Sequence, residues 1–86
     1  SMKLEFTKAF IKDYRKLPSS IKKTTDKNLA LLLSNSTHPS LHVKKMNDPR
    51  NIWEGRVTDS YRFTFQIKGD TCLLRRIGTH DMLRNP

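Results

Sequence analysis

The sequence predicts an α+β domain in which a short N-terminal strand and a helical hairpin precede a three-stranded antiparallel meander, with the helices packed on one sheet face. Three observations carry this. Residues 52–80 alternate apolar and polar positions in three runs, separated by Thr58-Asp59-Ser60 and Lys68-Gly69-Asp70, the period-two pattern of strands joined by turns. Residues 7–33 place apolar side chains at helical spacing, interrupted at Pro18. The 86 residues leave room for one modest core.

Taken in order, residues 2–6 alternate and read as the first strand. Thr7 is a good N-cap for a helix through Lys16 with Phe10, Tyr14 and Leu17 on one stripe, and Pro18 ends it. Ser19 or Ser20 then caps a second helix reaching about Leu33, whose inner stripe is Ile21, Thr25, Leu29 and Leu32 or Leu33. Residues 34–51 are long for a loop in so small a domain. They hold His38-Pro39, the basic group His42-Val43-Lys44-Lys45 and the turn Asn47-Asp48-Pro49, with residues 41–46 fitting a short edge strand. Residues 81–86 form a tail without periodicity, and Ser1 reads as an expression scar, leaving a single domain over 2–86.

The meander fixes its own register. A three-residue loop at Thr58-Asp59-Ser60 pairs Val57 with Tyr61, Gly55 with Phe63 and Trp53 with Phe65, whereas a slip of one residue mixes core and solvent on each face. One face is then Trp53, Val57, Tyr61, Phe63, Phe65 and Ile67; the other is Glu54, Arg56, Arg62, Thr64 and Gln66. Arg56 and Arg62 become direct cross-strand neighbours. Like charges so placed repel by roughly a few tenths of a kcal/mol, so an anionic group is expected beside them.

Lys and Arg number 17 against 8 Asp and Glu, a formal charge of +9. Such a balance favours a polyanionic partner: nucleic acid, an acidic protein or an anionic surface. The membrane class is disfavoured, because no apolar run approaches spanning length and no lipidation signal is visible. With no signal peptide and a lone Cys72 inside a strand, the cytoplasm is expected, with Cys72 in a packing role. His38, His42 and His80 are too scattered for a metal set, and Gly55, Gly69 and Gly78 fall in separate elements. Neither a metal nor a small-molecule cofactor is expected.

Each candidate residue has a plain reading beside its functional one. Arg56 and Arg62 are either solvated strand residues or a phosphate clamp using the guanidinium fork; their forced proximity favours the clamp. His80, at the exit of the third strand, is a surface residue unless a neighbouring phosphate makes it a general acid. Lys44 and Lys45, with His42, are a solvated loop or a closure over a nucleic-acid backbone. Glu54 shares the arginine face, as charge compensation or as a participant in proton transfer. Trp53 lies on the Phe65 face and is assigned to the core. A Cys72–His80 nucleophile pair is disfavoured, since the two lie eight positions apart on an extended run.

The element order, with Trp53-x-x-Arg56-Val57, Tyr61-Arg62-x-x-Phe65 and Ile77-Gly78-Thr79-His80, resembles the RelE/ParE toxin superfamily over nearly the whole chain. The segment from Trp53 to Arg62 looks like its YoeB branch and Gly78-Thr79-His80-Asp81 like its YafQ branch. The resemblance implies a toxin of a type II toxin–antitoxin system: a metal-independent endonuclease that cuts mRNA in the ribosomal A site and is neutralised by a cognate antitoxin. By the same resemblance Arg62 matches an arginine stabilising the scissile phosphate, His80 the general acid, and Arg56 a phosphate-contacting position. Glu54 matches a position that is lysine in RelE, and Lys44 falls near the place of a glutamate base. The tail lacks the tyrosine that RelE and YoeB branches use, and Glu54, Lys44 and His42 all remain open as base. ParE-like members share the architecture but act on DNA gyrase, and an inactive RNA- or antitoxin-binding module is a further alternative.

Overall fold

The computed structural model describes residues 2–86, so Ser1, read above as a scar, lies outside the described residues. In chain order the elements are β1 (Lys3–Phe6), α1 (Lys8–Arg15), α2 (Ser19–Ser34), a 3₁₀ turn (Pro39–Leu41), β2 (Lys44–Lys45), β3 (Trp53–Arg56), β4 (Tyr61–Lys68), β5 (Thr71–Thr79) and a second 3₁₀ turn (His80–Arg84). One sheet runs β1-β5-β4-β3-β2. The meander is its centre, and two short strands extend it. β2 lies within the expected edge segment and pairs antiparallel with β3, while β1 pairs parallel with β5. The chain between them, the helical hairpin followed by β2, β3 and β4, is far longer than the crossover a parallel pairing needs.

Thr7 caps α1 as its residue type indicates: its hydroxyl oxygen accepts from the Phe10 amide at 3.0 Å and donates to the Arg75 carbonyl at 2.8 Å. The cap therefore also moors the helix to the sheet. Beyond β1, α1 runs beside β5, where Asp13 accepts from the Ile77 amide at 3.2 Å and from Arg76 at 2.6 and 3.1 Å. The start of α2 corrects the expectation. Neither serine caps it; Pro18 occupies the N-cap without a side-chain bond, and its carbonyl accepts from Ile21 and Lys22. Proline already holds an extended backbone there, so the serines fall inside the first turn. Thr25, Leu29 and Leu32 are buried as expected, joined by Asn28, whose amide donates to the Arg56 carbonyl at 3.0 Å.

The hairpin register is the expected one: Trp53 pairs with Phe65, Gly55 with Phe63 and Arg56 with Arg62, and the Val57 amide donates to the Tyr61 carbonyl. Gly55 is required, because the Phe63 ring lies where a Cβ would stand. The core gathers Phe10, Leu17, Leu29, Leu32, Phe63, Phe65, Cys72, Leu74 and Ile77 between sheet and helices. Leu41 and Ile52 are also fully buried and pin the long connection at both ends. Trp53 is half-buried, and Ile67, assigned to the apolar face, is 43% exposed at the far end of β4.

The tail, without periodicity of its own, is nevertheless structured. After the 3₁₀ turn, the Pro86 carbonyl accepts from the fully buried Thr64 hydroxyl and from Arg75 Nε, both at 3.2 Å. A bulge makes this possible. Pairing steps from Thr64–Arg76 to Phe65–Leu74, leaving Arg75 over, so two successive arginines serve the outer face instead of alternating. Among the described residues no helix is long and apolar enough to cross a membrane.

A candidate basic cleft on the outer sheet face

Strand register alone brings the site together. Lys44 stands opposite Glu54 and Glu54 opposite Thr64, one step from the Arg56–Arg62 pair. Cross-strand partners share a face, so Lys44, Glu54, Arg56 and Arg62 all project away from the helices. With His42 and Val43 they line a cleft of about 370 Å³. His42 enters from the turn after Leu41 with a left-handed backbone, φ 46°, a conformation uncommon for a residue with a side chain.

The opposed arginines find the anion that their repulsion calls for. Arg62 donates from Nη1 to Glu54 Oε2 at 3.3 Å and from Nη2 to the Asp59 carbonyl at 2.8 Å. Arg56 Nη1 reaches Asp59 Oδ1 at 3.5 Å, and Lys44 Nζ lies 3.8 Å from Glu54 Oε1. Glu54, read above as part of an exposed face, is only 5% exposed. A carboxylate so enclosed needs partners, which Arg62 and Lys44 supply. Two cations thus hold Glu54, while Arg56 beside them leans on Asp59. Arg56 and Arg62 each keep a buried Nε–H with no acceptor among the described residues. Those two groups are shielded, so what faces an incoming oxyanion is the exposed Lys44 ammonium and the loosely held Arg56 guanidinium.

Among the residues singled out from sequence, His42, Lys44, Glu54, Arg56 and Arg62 converge on this cleft. Lys45 pairs with Trp53 and so belongs to the opposite sheet face. His80 follows Thr79, the partner of Tyr61, and is exposed at the same end of the sheet as the Thr58–Ser60 turn, outside the cleft lining. Cys72 is fully buried, and burial pushes its thiol up to about 11, which suits a packing role.

Sequence reasoning missed a second basic cluster. Arg50, Arg75 and Arg76 line a cleft of about 180 Å³ with Thr7 and Pro86. Its guanidinium groups are engaged: Arg50 bonds Asp48 at 2.8 Å and holds that carboxyl down at about 2. Arg75 bonds Gln66 at 3.0 Å, and Arg76 bonds Asp13. This cluster fastens the tail and α1 to the sheet. The signal was the Arg75-Arg76 pair itself, two charges in succession where alternation allows one.

No family model matches the sequence. A curated relative, toxin RelE3 of Methanocaldococcus jannaschii, is 33% identical, with 88% of each chain covered. Among solved structures, the RelB–RelE antitoxin–toxin complex from Methanococcus jannaschii matches with a TM-score of 0.74 at 27% identity, covering 93% of this chain and 94% of that one. The E. coli DinJ–YafQ toxin–antitoxin complex shares the fold with a TM-score of 0.80 at 15% identity, covering 95% and 96%.

Proposed function

The chain belongs to the RelE/ParE superfamily of toxin–antitoxin toxins, and from that premise we propose that it is a ribosome-dependent, metal-independent mRNA endonuclease held in check by a cognate antitoxin. The observation that supports this most is the cleft that Lys44, Glu54, Arg56 and Arg62 line on the sheet face away from the helices. An RNA strand in the A site lies across it, and the toxin acts in the cytoplasm where ribosomes are.

The ribose 2′-OH attacks the adjacent phosphorus in line, forming a 2′,3′-cyclic phosphate and expelling the 5′ oxygen. DNA lacks that nucleophile and is not cut. Arg62 and Arg56 stabilise the charge that builds on the phosphoryl oxygens. Glu54 is already paired at both oxygens, so its part is to hold Arg62 and Lys44 in place. The imidazole of His42 carries no hydrogen bond among the described residues and takes the 2′-OH proton. His80, at the end of β5, protonates the leaving oxygen, and Lys44 follows the RNA backbone, while Lys45, on the opposite sheet face, takes no part.

Translating ribosomes incubated with the protein are expected to yield cleaved mRNA ending in 2′,3′-cyclic phosphate. Intact mRNA together with inhibited gyrase supercoiling would replace this reading by a ParE-like one.

A further inference from the structure

A second concavity, of about 290 Å³, abuts the basic cleft. His42 and Val43 border both, and Thr37, His38, Pro39 and Trp53 belong to the second alone. The boundary runs over β2, an edge strand of two residues. Strand alternation sets Trp53 on the opposite sheet face from Glu54, so a chain leaving the cleft reaches this concavity by stepping over that edge. Its size lies at the small end of ligand sites, which begin at roughly 300 Å³.

Trp53, assigned from the sequence to the core, packs against it yet stays half-buried. Pro39 and Val43 add apolar walls, and His38 adds a directional donor. The Ser40 amide donates to His38 Nδ1 at 3.2 Å, and the Ser40 hydroxyl lies 2.8 Å from the same atom. Nδ1 is therefore the acceptor, and the ring proton sits on Nε2. That N–H meets no acceptor among the described residues. An aromatic face, apolar walls and one unspent donor suit a purine, whose flat ring stacks and whose N7 accepts. A pyrimidine has no N7, and an aliphatic group would leave the donor unspent.

We propose that this concavity holds the base of the nucleotide whose 2′-OH attacks, that this base is a purine, and that His38 selects it at N7 while Trp53 stacks on it. The inference rests on the nuclease reading and adds a base-selecting site to it. His42 supplies the link. With the attacking ribose at His42 and its phosphate at the arginines, the base on that ribose has the adjoining concavity within reach.

Trp53 is the single tryptophan of the chain, so its fluorescence reports occupancy directly. The full chain is titrated with 2′-O-methyl RNA trinucleotides, which cannot be cut. The strand adenosine-uridine-uridine is expected to quench the fluorescence saturably. An abasic first position should weaken binding about 10-fold, the ordinary loss of one base stack. A 7-deazaadenosine there should weaken it about 5-fold, the net worth of one hydrogen bond. His38→Asn keeps a favoured cap and an acceptor for the Ser40 amide but lacks Nε2; it should bind the adenosine and 7-deazaadenosine strands equally. On translating ribosomes the parent should cut preferentially 3′ of purines, and His38→Asn should lose that preference through KM rather than kcat. Equal affinities for all the strands, or a 7-deaza penalty that His38→Asn retains, would overturn the proposal even where mRNA is cut. Base-dependent quenching in a protein that leaves mRNA intact would support the base site while overturning the nuclease reading.

Discussion

Arg62 and Glu54 meet across β4 and β3, Nη1 to Oε2 at 3.3 Å, with side chains only 13% and 6% exposed. The pair is both a structural tie and the means by which a guanidinium is held beside a second one. Glu54→Gln should therefore cost about 3 kcal/mol, the penalty of leaving a shielded cation without its counter-charge. Urea denaturation measures it. The double variant with Arg62→Ala should lose clearly less than the sum of the two single changes, because the cost is shared.

Arg62 is the more enclosed and the more firmly anchored of the two arginines, and so the better pre-organised donor. Arg62→Ala should lower ribosome-dependent cleavage by about 10²- to 10³-fold, with Arg56→Ala giving a smaller loss. Equal, undiminished rates in both would remove the cleft from the chemistry.

If His80 supplies a proton to the leaving oxygen, its loss should matter only when that oxygen needs one. His80→Ala should slow cleavage about 10²- to 10⁴-fold. An mRNA carrying sulfur at the bridging 5′ position, which leaves without protonation, should restore most of the rate. Failure of the sulfur substrate to rescue would assign His80 to binding.

Burial lifts the Cys72 thiol from 9.0 to about 11. The folded state then holds its proton more tightly than the unfolded chain. This contribution to stability is complete below pH 9 and disappears as pH rises through about 11. Comparing denaturation of the parent with Cys72→Ala across that window isolates it from the tyrosines. Iodoacetamide at pH 8 should label Cys72 only once the chain is unfolded.

The meander was legible because alternation and a three-residue turn admit one register, and that register alone sets Arg56 against Arg62. Convergence of Lys44 and Glu54 was partly legible: both residues stood out, but the pairing of β2 with β3 depends on how a long connection returns, and Leu41 and Ile52 decide that by burial. Burial of Glu54 follows from that nonlocal cover, which no local pattern encodes. The tail had no periodicity because its order comes from Thr64, Arg75 and Arg76, not from its own residues. Parallel docking of β1 on β5 likewise joins segments more than sixty residues apart, beyond the reach of any local pattern.

The bond from the Ile77 amide to Asp13 has a further effect. It closes the stretch of β5 that β1 leaves open, so the sheet's outermost strands are the four residues of β1 and the two of β2. Such short hems, one carrying Lys3 and Glu5 and the other made of two lysines, give another chain little backbone to zip onto. A highly expressed toxin of this shape should stay dispersed rather than polymerise into stacked ribbons.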